Sequence, residues 1–373
     1  MLNNKTEKQN CICLQTALNP EKDVTVIDGQ NRTEIYYVGC DNNLYLCYEV
    51  DCLNAKFFRK LVRRNIKKFA ATNIAKTNKV AIACSDGKNV YLVLTESPEK
   101  IEEKDFIRLN FDGVLGGKNL IPSNLLLSAL DKGITLFVEM TDNRGRIELF
   151  SCLLDSQSPS NIQYFPLAAN FSDVKCCVAG RAARQYVDGV YTYGTYREIS
   201  QLLYTPSCNV FGSTPPAPIR FKSEYKVDTI CTLPLKTKTG THLLSTGGKN
   251  LYLYPFDRQK DMFHVDKPDP DLLVSSVLFN EAKKMAAVRL DDMLFIYVLN
   301  QARVLSYTFA QCNGDSFGEF ARPMILMENV FYFDISNQGS MNICMENSVV
   351  FGKRDSNSGE WEFKLATLET DLD

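Results

Sequence analysis

The sequence predicts an all-β fold, a β-propeller of four-stranded antiparallel blades, on three observations. A rhythm of four short apolar or alternating runs recurs about seven times at roughly 50-residue spacing, a period typical of radial repeat architectures. The turns between runs are too short for the crossover that parallel strands need, so neighbouring runs pair antiparallel. A polar turn followed by aliphatic residues and tyrosine recurs where each third strand is expected: NLYLCYE from Asn43, NVYLVLTE from Asn89, RIELFSCL from Arg146, ISQLLYTP from Ile199, NLYLYPFD from Asn250 and MLFIYVLN from Met293. Seven blades fit this rhythm best, and six is the alternative count.

Taken in chain order, the first unit begins near Val24, the second near Lys68 and the third near Leu125. The fourth runs through Val174 to Ala179, Gly189 to Tyr193, Ile199 to Thr205 and Ile219 to Lys222. The fifth takes Val227 to Leu233, His242 to Thr246, Leu251 to Pro255 and Met262 to Val265. The sixth is read as Leu273 to Phe279, Lys284 to Leu290, Met293 to Leu299 and Arg303 to Phe309. The seventh takes Val330 to Ile335, Met341 to Met345, Val349 to Lys353 and Trp361 to Leu365. Asn, Gly, Ser and Asp fill the gaps, as tight turns require. Residues 1–20 are expected to form an N-terminal arm whose Cys11 to Leu14 segment closes the ring against the last blade, and residues 21–373 a single propeller domain.

Composition agrees with one large body. Hydrophobic residues make up 45% of the 373, and 22 Phe with 17 Tyr suit pleated, buried strands. The single Trp361 excludes tryptophan-aspartate repeats, and a double glycine of kelch type occurs in suitable context only at Gly247 and Gly248. A net charge of −2 gives no global attraction to nucleic acid, which is therefore not expected as a partner. The exception is segment 56–76, where Lys56, Arg59, Lys60, Arg63, Arg64, Lys67, Lys68 and Lys76 accompany no acid. It reads either as an edge for an acidic partner or as a solvated outer strand that discourages edge pairing. Thirteen cysteines, an odd number set largely in apolar strands, point to reduced thiols and a cytoplasmic protein. No apolar run of about 20 residues is present to span a membrane as a helix.

Chemistry-bearing motifs are sparse. Only His242 and His264 are available as histidine bases, and both fall in expected strands. Walker, dinucleotide-binding and nucleophile-elbow patterns are missing. Neither Cys11 with Cys13 nor Cys176 with Cys177 has zinc-site spacing, so neither metal nor cofactor is expected. Asp291 and Asp292 are adjacent acids in one turn.

Up-and-down blades gather the turns between second and third strands on one face of the ring. That face is expected to display Asp41, Asn42, Asp86, Lys88, Asp142, Asn143, Arg144, Tyr196, Arg197, Lys249, Asp291, Asp292 and Glu346. Turn sterics account for Asp and Asn, but not for Arg144, Tyr196, Arg197 and Lys249, which are the first candidates for ligand contacts.

The segments TDNRGRIELFS from Thr141 and GTYREISQLLY from Gly194 resemble the blade core of fungal fucose-binding lectin propellers. The likeness covers two blades, and the family's repeated tryptophans are absent. It implies sugar binding between blades by arginine, carboxylate and aromatic stacking, which would place Arg146 with Glu148 and Arg197 with Glu198 in a site. The sequence thus favours a non-enzymatic binding or interaction propeller recognising a polar small molecule, glycan, peptide or protein through loops on one face. The alternative is a metal-independent enzyme, or an accessory protein of small-molecule metabolism, using the axial pocket.

Overall fold

The structure, a computed structural model, describes residues 24–29, 32–74, 77–128, 133–155, 162–181, 188–196, 199–206, 219–220, 226–235, 241–254, 270–345, 348–354 and 360–369. It is a seven-bladed β-propeller built from six hydrogen-bonded sheets. Blade 1 comprises Val24–Asp28, Thr33–Val38, Leu44–Asp51 and Lys56–Arg63, and blade 2 comprises Lys68–Asn73, Val80–Ser85, Val90–Thr95 and Ile107–Leu109. Blade 3 is Ile121–Ser128, Gly133–Thr141, Ile147–Asp155 and the first half of Ile162–Arg181. Blade 4 takes the second half of that same strand, then Asp188–Tyr196, Ile199–Pro206 and Ile219–Arg220. Blade 5 is Thr229–Pro234, Thr241–Gly247, Asn250–Tyr254 and Asp271–Ser275. Blade 6 is Ala282–Leu290, Met293–Asn300, Leu305–Asn313 and Met324–Met327, with Ser316–Phe317 as an added hairpin, and blade 7 is Val330–Ile335, Ser340–Met345, Val349–Arg354 and Trp361–Leu365. The first strands of successive blades adjoin one another around a closed circle, which makes them the hub.

Second strands lie between neighbouring blades and are covered on both faces. TEIYYV at Thr33–Val38 and VAIACS at Val80–Ser85 are buried at every position, so they read as largely apolar runs and not as alternation. Apolar clusters fill the seams between blades, for example Tyr36, Leu46, Val62, Ile82 and Cys84 between blades 1 and 2. Blades 6 and 7 are joined by Tyr297, Leu299, Phe333 and Ile343. Each such side chain contributes about 1.5–3 kcal/mol relative to exposure. The double glycine has a local cause in backbone sterics. A Cβ at Gly247 would lie 1.7 Å from the Lys226 carbonyl oxygen, and Gly248 turns with φ of +58°.

Blade 6 corrects the sequence frame by one strand. The run Leu273 to Phe279 is not its first strand: Asp271–Ser275 closes blade 5 from outside, and Val277–Phe279 is a 3-10 turn. Lys284 to Leu290 therefore belongs to the hub strand, and MLFIYVLN is the second strand, not the third. Second and third strands are both buried apolar runs, so the repeat alone does not distinguish them. Asp291 and Asp292 consequently sit between first and second strands, on the face opposite the one expected. Met262 to Val265, His264, Arg197, Glu198, Glu346 and the Cys11 to Leu14 arm lie outside the described residues.

The last described strand lies at the outer rim. After Leu365 the backbone steps from blade 7 to blade 1, where Thr367–Glu369 pairs parallel with Lys56 to Phe58 as a fifth strand. Lys364 Nζ donates to the Leu53 carbonyl at 2.6 Å and the Thr367 amide to that of Ala55 at 3.1 Å. The ten described cysteines are free thiols. Among the described residues no helix is long and apolar enough to cross a membrane.

Candidate functional site

A cleft of about 480 Å³ opens where the turns between first and second strands of blades 7, 1 and 2 converge. Blade 1 contributes Asp28, Gly29, Arg32 and Glu34, blade 2 contributes Asn73, Thr77 and the Glu96–Glu99 link, and blade 7 contributes Gln338. The Gly29 amide donates to the Arg32 carbonyl at 2.9 Å, closing a tight turn that delivers Arg32 to the cleft wall. Pro98 opens a 3-10 turn, Pro98–Lys100, which carries Glu99 to the same place.

Arg32 is held from three sides. Its Nη2 donates to Glu99 Oε2 at 2.6 Å, lies 3.5 Å from Glu34 Oε1, and its guanidinium stacks over the Tyr48 ring at 4.3 Å. Glu34 is buried at 3% exposure and accepts from the Tyr36 hydroxyl at 2.8 Å. Burial raises its pKa despite the bond from Tyr36 and the Arg32 charge. Burial alone would raise Glu99 too, but its own amide and Arg32 hold its carboxyl below the usual range. Asp28 accepts from the hydroxyls of Thr33, at 3.0 Å, and Ser336, and its carbonyl accepts from Asn73 Nδ2 at 2.8 Å. Three blades are thereby laced together around the cleft.

Two further polar clusters occupy seams. Lys284 of blade 6 reaches Asp334 of blade 7 at 3.3 Å and the Tyr332 hydroxyl, while Asp334 accepts from the Val26 amide of blade 1 at 2.8 Å. Between blades 3 and 4, the Cys177 thiol donates to Glu139 at 2.7 Å and Asn124 Nδ2 lies 3.5 Å from the sulfur. Burial pushes both groups up in pKa, and the Glu139 charge pushes Cys177 further.

The described ligand-contact candidates from sequence, Arg144, Arg146, Glu148, Tyr196 and Lys249, lie in blades 3 to 5, away from the cleft. Arg146 Nε donates to Asp142 Oδ2 at 2.8 Å within its own turn, and Glu148 accepts from Lys118 at 2.7 and 2.9 Å, so the two do not pair with each other. Arg144 and Lys249 are exposed at their turns, and Tyr196 ends a strand opposite Ile199. The basic segment is hydrogen-bonded to the Glu99–Glu103 stretch of its own chain, mostly through backbone groups. Lys60 donates to the Glu99 carbonyl, Arg63 to the Glu103 carbonyl at 3.1 Å, and the Arg64 amide to Glu103 Oε1 at 2.9 Å. Arg63 also stacks on Tyr91 at 3.8 Å. Sequence reasoning passed over Arg32, Glu34 and Glu99. The available signal was an acid, Glu34, inside the otherwise apolar strand TEIYYV.

No protein-family profile and no curated protein sequence matches the chain. Solved structures do resemble it. The lectin BP39L from Burkholderia pseudomallei superposes with a TM-score of 0.66 at 11% identity, covering 95% of this chain and 99% of that one. A post-proline cleaving enzyme from Rickettsia typhi gives 0.52 at 11% identity, over 95% of this chain and 54% of that one. The WD40 domain of SCAP from fission yeast gives 0.50 at 9% identity, over 92% and 84%. At such identities the likeness establishes the propeller fold.

Proposed function

We propose that the protein is a non-enzymatic binding propeller that takes a polar ligand in the cleft between blades 7, 1 and 2. The observation that carries this reading is the cleft itself: a concavity of about 480 Å³ with a guanidinium fixed in place by two carboxylates and an aromatic face. The volume falls in the range of small-ligand sites, and side chains already held by their neighbours lose little freedom when a ligand arrives. Arginine, carboxylate and aromatic are also the residue types by which the lectin resemblance implies sugar binding, here supplied by Arg32, Glu34, Glu99 and Tyr48. A lectin and a WD40 domain among the similar structures support a binding role, beside one peptidase. A cytoplasmic setting belongs to the same reading, and the free thiols support it.

The rival location is the opposite face, with Arg144, Arg146, Glu148, Tyr196, Arg197, Glu198 and Lys249. Thermal-shift screening against glycans and peptides, repeated on Gln338→Trp, separates the two. Gln338 is exposed at the cleft wall, so indole there fills the space without disturbing the core. Hits are expected to vanish in Gln338→Trp and survive Arg144→Ala with Lys249→Ala; the reverse pattern overturns the cleft as the site.

A further inference from the structure

The cleft's hydrogen-bonding inventory is one-sided. Several of its donors are committed: Arg32 Nη2 to Glu99, with Glu34 at 3.5 Å, Asn73 Nδ2 to the Asp28 carbonyl, and the Thr77 hydroxyl to the Ile74 carbonyl. What the walls offer in excess is acceptor capacity, chiefly the carboxylates of Asp28, Glu34, Glu96 and Glu99, and a carboxylate can only accept. These four carboxylates line the cleft with one guanidinium; outside the lining, Lys79 approaches Glu96 at 3.8 Å and Lys60 and Lys100 stand by Glu99. Glu34 is the most telling of them. It is buried, and its cation stands at 3.5 Å, longer than a good charge-assisted hydrogen bond. A buried acid so loosely compensated gains from a second positive charge placed beside it.

Resting on the reading of this cleft as the ligand site, we propose that the group it selects is a protonated amine, carried on a polar ligand and seated between Glu34 and Glu99. An ammonium brings three donors to walls made of acceptors. It also restores the charge balance that Arg32 alone does not reach. A neutral polyol of the same size satisfies the acceptors but not the charge.

Two probe pairs test this by calorimetric titration: a glucosamine trimer against its N-acetylated counterpart, and a lysine-containing tripeptide against the acetyl-lysine form. They also distinguish an amino sugar from a peptide side chain as the source of the amine. Within at least one pair the free amine is expected to bind about tenfold or more tightly, corresponding to about 1.4 kcal/mol. That preference is expected to shrink with added salt and to disappear in Glu99→Gln, while Glu96→Gln, at an exposed position, changes it less. Acetylated probes that bind as well as the amines, and are still blocked by Gln338→Trp, overturn the amine and leave the cleft reading standing. Probes that bind regardless of Gln338→Trp overturn both. Failure of every amine probe to bind overturns the amine.

Discussion

At the scale of single residues, the buried carboxyls decide how the molecule responds to pH. Glu34 and Glu139 both have raised pKa values because burial penalises the charged form. For a raised carboxyl, any stabilisation belongs to the protonated form and is lost as pH rises through the folded pKa. Glu139→Gln keeps the hydrogen-bonding shape beside Cys177 and removes the buried charge. It is expected to raise Tm by about 2 °C at pH 8, the gain shrinking as pH falls and the wild-type carboxyl protonates. A lower Tm at every pH would show that the charge serves another contact, with Lys68 the nearest candidate. Glu34 is faced by Arg32, Tyr36 and Glu99, and amine binding at the cleft is expected to weaken as pH falls through its raised pKa. Titrations at stepped pH check this. Little of it was legible in the sequence, because Arg32 and Glu99 are 67 residues apart and meet only through the packing of blade 1 on blade 2.

At the scale of elements, most strands were readable and one register was not. Polar turn, aliphatic and tyrosine marked third strands correctly in blades 1 to 5, since tight turns and buried middle strands leave strong local signals. In blade 6 the same signal fell on a second strand, because burial on both faces erases the alternation that would tell the two apart. The short C-terminal strand Thr367–Glu369 left no signal at all: three residues carry no periodicity. Its energetic weight is nevertheless measurable. Leu368 is 6% exposed and packs in the cluster containing Phe57 and Phe351, so Leu368→Ala is expected to cost about 2–3 kcal/mol in denaturant unfolding. Leu365, three residues earlier and 63% exposed, is the control and should be near neutral when changed to Ala. Equal effects would mean that the strand is not docked.

At the scale of the whole molecule, the ring is held shut differently at different seams. Blades 7 and 1 meet through side-chain contacts, with the parallel strand at the rim and, at the hub, the Val26 amide donating to Asp334. Asp334→Ala removes that acceptor and leaves a part-buried amide unpaired. Hydrogen exchange at Val26 is expected to accelerate about tenfold or more while the Cys177 and Tyr191 amides hold their rates. Uniform acceleration would indicate global loosening instead. Blades 3 and 4 differ in kind, since one 20-residue strand belongs to both and Phe171 pairs with Ile147 on one side and Tyr196 on the other. Under shear, six joints of this ring can slip and one is a weld. Force applied to blade 3 is therefore transmitted to blade 4 through one strand and its continuous hydrogen-bond ladder, so the pair moves as a single stiff plank and the ring's compliance is left to its other seams.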